Sequence, residues 1–129
     1  MIFIIHDPMY QQDVLVVIGP YDEDKIVRAV VRAGYTIADP EEMAELLVMG
    51  ATSSGRTLMD PNSGAAVIRL RRLRPNNPED VGYLVHEAVH AAVMVFDRIG
   101  FPLKAETDEP LAYYVQFLVQ TILERVKQK

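Results

Sequence analysis

Asp80-Val81-Gly82-Tyr83-Leu84-Val85-His86-Glu87-Ala88-Val89-His90-Ala91-Ala92-Val93-Met94-Val95-Phe96-Asp97-Arg98-Ile99 is the stretch on which the reading of this chain turns. Leu84, Val85, Ala88, Ala91, Ala92, Val95 and Ile99 recur at intervals of three and four, which stacks side chains along an α-helix. They cover enough of its surface to predict a largely buried helix. Pro78-Glu79-Asp80 supplies a start and Gly100-Phe101-Pro102 a stop. A helix this apolar must be covered, so the flanking segments are read for what packs on it.

Downstream, Asp108-Glu109-Pro110 has the composition of a helix start with proline in the first turn, and the helical pattern runs to about Lys127. Immediately upstream, Arg56-Thr57-Leu58-Met59 and Ala65-Ala66-Val67-Ile68-Arg69-Leu70 are strand-like runs joined across Asp60-Pro61-Asn62-Ser63-Gly64, a predicted hairpin. Ile2-Phe3-Ile4-Ile5 and Val14-Leu15-Val16-Val17-Ile18 read as two further strands. Between these and the hairpin, Ile26, Val27, Val30 and Val31 mark an amphipathic helix from Asp22 to Ala33 that Gly34 ends. Tyr35-Thr36-Ile37-Ala38 reads as a brief strand, Asp39-Pro40-Glu41-Glu42 opens a helix running to about Met49, and residues 50–56 form a loop. The fold class is therefore α+β: a small sheet including a hairpin, followed by two long C-terminal helices, in one domain spanning 1–129.

Composition narrows the function. With 50% hydrophobic residues the chain has material for a real core, and its formal net charge of −5 argues against a general nucleic-acid binder. Peptide or protein partners are expected instead, with no membrane. The chain has no cysteine, which excludes disulfides, cysteine-zinc sites and a thiol nucleophile. The apolar opening stops at His6-Asp7-Pro8, too short and without the positive start of a secretory signal, and no apolar run approaches the roughly 20 residues of a membrane span. A soluble cytoplasmic protein is expected.

Two of the three histidines, His86 and His90, stand four residues apart on the central helix. Positions i and i+4 share a helix face, so both imidazoles can reach one metal ion. Glu87 lies beside them, where a carboxylate can take a proton from a water that the metal activates. Catalytic zinc usually takes three protein ligands, and Asp97, Glu106, Asp108, Glu109 and Glu124 are the downstream candidates. Asp97 follows His90 by seven residues, about 10 Å along the same helix axis, too far to share an ion. Glu109 opens the next helix, which the short 100–107 connection can return antiparallel.

His86-Glu87-Ala88-Val89-His90 with Glu109 nineteen residues later resembles the HExxH-plus-glutamate arrangement of the gluzincin zinc metallopeptidases. More narrowly, His86 to Ala91 together with Thr107-Asp108-Glu109-Pro110-Leu111-Ala112-Tyr113 looks like small single-domain HExxH proteins encoded in bacteriophages and prophages. The resemblance covers about the C-terminal third; upstream it extends only to the order of elements. It implies a minimal zincin-like fold, Zn2+ held by His86, His90 and Glu109, Glu87 as general base, peptide-bond hydrolysis, and the host cytoplasm as the setting of a phage-encoded protein. The chain departs from larger gluzincins in having Pro110, Leu111 and Ala112 after Glu109 and no downstream histidine. A tetrahedral intermediate needs a further donor for its oxyanion, and Tyr113, four residues after Glu109 and on its face of the helix, is the candidate.

Two alternatives accompany this reading: a non-catalytic phage-related binding module with a structural zinc, and a zinc hydrolase acting on a non-peptide amide or ester. Elsewhere, Arg69, Arg71, Arg72 and Arg74 read as a solvated strand face and edge protection, and residues 67–70 as a sheet edge able to take an extended peptide by strand addition. His6 reads as a surface or hydrogen-bonded structural histidine, Asp22-Glu23-Asp24 as a helix N-terminus, and Tyr10 and Tyr21 as core residues.

Overall fold

The computed structural model describes residues 1–20, 22–32, 54–59 and 64–128. Tyr21, the expected end of the first helix at Gly34, the strand at 35–38, the helix at 39–49, most of the following loop and the 60–63 connection lie outside the described residues. The described elements are β1 (Ile2–His6), β2 (Asp13–Ile18), α1 (Glu23–Arg32), β3 (Gly55–Met59), β4 (Ala66–Leu70), α2 (Pro78–Arg98) and α3 (Asp108–Lys127), with a 3-10 turn at Ala105–Thr107 before α3. The expected α+β class holds: a four-stranded mixed sheet with helices, two of them C-terminal. Among the described residues no helix is long and apolar enough to cross a membrane.

Strand order is β1-β2-β4-β3. The β1–β2 and β3–β4 pairs are antiparallel, and β2–β4 is parallel, with Val16 opposite Ile68. Because side chains alternate along a strand, the sheet has two apolar faces. Leu15, Val17 and Val67 meet Ile26 and Val30 of α1 on one side. Phe3, Ile5, Val14, Val16, Ile18, Ala66, Ile68 and Leu70 meet α2 and α3 on the other. Strands buried on both faces read as near-continuous apolar runs, which β2 shows from Val14 to Ile18 and β4 shows apart from Arg69.

This topology corrects two expectations. Residues 67–70 are not a sheet edge: β4 is fully buried between β2 and β3, and among the described strands the outer positions belong to β1 and β3. Of the four arginines only Arg69 lies on β4, and it is buried and donates to the carbonyl of Leu70; Arg72 and Arg74 are solvated as expected but follow the strand, where they converge on the buried Asp80.

That convergence starts α2. Asn77 is its N-cap, accepting the Asp80 N–H at 3.0 Å, and Pro78 occupies the first turn where its missing N–H costs nothing. Asp80 in turn accepts from the Arg74 backbone N–H at 2.9 Å and from the Arg74 Nε at 2.7 Å. At the other end Gly100, with φ +74°, turns the chain back. The Phe101 N–H donates to the Phe96 carbonyl at 2.9 Å and the Gly100 N–H to that of Asp97 at 3.1 Å, and the Phe96 and Phe101 rings close the motif at 4.8 Å. Tyr10 and Tyr114 complete this aromatic cluster against Phe96 at 5.3 and 5.8 Å, fastening α3 to α2 and to the β1–β2 connection. Burial, and after it the Asp7 carboxylate, push the ionisation of the Tyr114 phenol above its ordinary range, so it stays neutral.

The hydrogen bonds from Arg74 hold the Asp80 carboxyl down at about 2, against an ordinary 3.8. A depressed carboxylate contributes stability that is present above the unfolded value and is lost as pH falls through the folded one. Asp80→Asn should therefore lower stability near neutral pH by about 2 kcal/mol. In thermal melts the gap between variant and wild type should shrink as pH falls from about 4 toward 2.

Candidate metal centre

α2 places its residues about 100° apart around its axis, and its neighbours divide that circle. Leu84, Ala88, Ala91 and Val95 are buried in the core that α2 shares with the sheet. Glu87 and Phe96, nine residues apart, project about half a turn from one another. Phe96 meets Tyr114 of α3, and Glu87 meets Thr57 of β3. His86 and His90 fall between these two flanks, on the outward side, and both are exposed.

The two imidazoles converge. Nε2 of His86 and Nε2 of His90 are 3.2 Å apart, and the ring centroids 4.8 Å. Two nitrogens each about 2.05 Å from one tetrahedral zinc stand about 3.3 Å apart, so the pair is already at ligand spacing. With a Glu87 carboxylate oxygen they form a group of donor atoms all within 4.8 Å of one another, able to hold a metal ion.

Glu87 differs from the histidines in being 5% exposed. A buried carboxylate needs partners, and β3 supplies one. The Thr57 hydroxyl lies 3.2 Å from Glu87 Oε1 and 3.1 Å from the Glu87 carbonyl oxygen. Gly55, on the same face of β3, makes the space: a Cβ there would stand 2.9 Å from Glu87 Cγ and 3.0 Å from Oε2. The sequence reading did not find Thr57 or Gly55, which lie about thirty residues before Glu87 and carry no local signal of the contact.

Among the described residues, the group of donor atoms within 4.8 Å of one another does not include the other acidic candidates. Glu109 is exposed in the first turn of α3, nine residues and hence half a turn from the fully buried Leu118. Tyr113 shares its face, as the i+4 spacing requires, and is 62% exposed, while the adjacent Tyr114 is the buried one. Asp97, Glu106, Asp108 and Glu124 are likewise exposed and outside the group. His6 accounts for the remaining imidazole: its Nδ1 is 2.9 Å from Asp13 Oδ1, a surface pairing between the ends of β1 and β2.

Comparison with protein-family models, with curated proteins and with solved structures gives no match. The functional reading therefore rests on the geometry of α2 and β3.

Gly82 stands one turn before His86, is exposed, and has nothing within 4 Å of where a Cβ would be. Glycine inside a helix is less favourable than alanine by about 1 kcal/mol. Gly82→Ala should raise the midpoint of thermal unfolding by a few degrees, and an unchanged or lower midpoint would show that this opening carries a contact.

Proposed function

We propose that the protein is a zinc-dependent hydrolase of peptide bonds, with His86 and His90 as metal ligands and Glu87 as general base. The observation that carries this reading is the pair of imidazole nitrogens at 3.2 Å beside a buried carboxylate. Neutral imidazole nitrogens suit zinc among the common divalent ions, and hard oxygen-seeking ions such as Ca2+ do not favour them. When bound, zinc polarises a carbonyl oxygen and makes water acidic enough to act as a nucleophile near neutral pH.

The chain's own residues supply the rest. Each histidine must present a free Nε2, which fixes the proton of a neutral ring on Nδ1. Glu87 accepts a proton from the attacking water and returns it to the departing amine, and the Thr57 hydroxyl keeps the carboxylate in place for both transfers. Glu109 lies outside the group of donor atoms, and this version of the site assigns no role to it or to Tyr113.

A second reading, a metal-supported binding surface without turnover, draws on that position of Glu109, since a catalytic zinc usually has a third protein ligand. Glu87→Gln separates the two. A hydrolase should lose at least about a hundredfold in turnover of an unstructured polypeptide substrate while keeping its zinc, as expected for removal of a general base. Turnover unaffected by Glu87→Gln would overturn the mechanism.

Metal content of the purified variants tests the ligands directly. His86→Ala and His90→Ala should each abolish stoichiometric zinc, and Glu109→Ala should retain it. Loss of zinc in Glu109→Ala would instead show that the first turn of α3 closes on the ion.

A further inference from the structure

We infer that Thr57 is a positioning residue that decides the role of Glu87: its hydroxyl seats the carboxylate against β3, one step back from a metal ligand, and so keeps it free to carry a proton. The inference rests on the metal-site reading above.

Donor spacing is the first observation. The histidine nitrogens are 3.2 Å apart, and a Glu87 carboxylate oxygen completes a group whose donor atoms lie within 4.8 Å of one another. Donors sharing one tetrahedral ion stand only about 3.3 Å apart. The histidines stand at that spacing, while the Glu87 carboxylate is the donor that β3 engages.

The seat itself is the second observation. Around the α2 axis Glu87 is about 60° from His90 and about 100° from His86, close enough for an unrestrained glutamate to swing toward an ion between them. Two features of β3 prevent it. Thr57 Oγ1 faces both the Oε1 and the backbone carbonyl of Glu87, so side chain and helix backbone are referred to the same hydroxyl. Gly55, two residues earlier on that face, leaves the recess that the Cγ and Oε2 occupy. The 100° step of α2 turns Glu87 toward β3, and the groups that fix its carboxylate there lie thirty residues and more away, on that strand.

Removing the hydroxyl would leave a buried carboxylate oxygen without this donor, an expensive state that a nearby cation relieves. Thr57→Val should therefore convert Glu87 from a neighbour of the metal into a ligand. A merely structural hydrogen bond would cost stability and leave the coordination sphere unchanged.

Cobalt(II), whose visible bands report its coordination, provides the readout at a single pH, with affinity measured by chelator competition. Thr57→Ser should keep the wild-type spectrum. Thr57→Val should shift the bands and bind cobalt several-fold more tightly, and adding Glu87→Gln to Thr57→Val should remove both effects. Gly55→Ala, which presses on Glu87 from the same side, should shift the bands with Thr57 intact, and it serves if Thr57→Val does not fold. If wild type takes up no cobalt, the metal-site reading fails. If wild type binds cobalt and Thr57→Val and Gly55→Ala both match its spectrum and affinity, the metal site stands and the role of Thr57 is overturned.

Discussion

Burial of α2 is the constraint on which the rest of the structure depends. Leu84, Ala88, Ala91, Ala92, Val95 and Phe96 are 3% exposed or less, and three of the six are alanines, which let the helix axis come close to the sheet. Each large apolar side chain buried in this way contributes about 1.5–3 kcal/mol. Once that face is fixed, the direction of every other α2 side chain follows from the 100° step. Glu87 is turned to β3, Phe96 to α3, and the histidines outward.

The ends of α2 are fixed with equal care, and by different physics. At the start, polar groups satisfy one another: Asn77 caps the Asp80 N–H, and the Asp80 carboxylate gathers Arg72 and Arg74. At the end, glycine geometry and aromatic packing take over, with Gly100 in the left-handed region and Phe101 folded onto Phe96. A histidine pair built on one helix needs no loop to position it, and fixed ends keep its register against β3. Side chains supported in this way on a rigid element hold their geometry better than the same side chains on a loop.

Much of this was legible in the sequence, and what was not has identifiable causes. Periodicity and end signals placed α2, α3 and the four described strands within a residue or two, because those signals are local. The pairing of β2 with β4 was not legible, since two apolar runs do not say which neighbour each will choose. The unbroken apolar run Ala66-Val67-Ile68 did carry a hint of an interior strand, but Arg69 in the same run reads as solvent-facing until its burial is seen. At the site, i and i+4 spacing was enough for His86 and His90 to converge. The same rule put Glu109 and Tyr113 on a common face of α3, yet not which way that face points. The phase comes from the Tyr114, Leu118 and Ile122 stripe, which buries the opposite side. Thr57 and Gly55 lay beyond sequence reasoning, because only the packing of β3 against α2 brings them to Glu87, about thirty residues later.

The central claim is that His86 and His90 form one metal site, and the imidazole resonances of the three histidines test it most directly. In a zinc titration followed by NMR of the ring nitrogens, the account predicts that the His86 and His90 signals move together, saturate at one equivalent, and change at Nε2. His6, paired with Asp13 at the far end of β1, serves as an internal control and should not move. Rings that stay unchanged through the titration, or three histidines that respond alike without saturation, would contradict it.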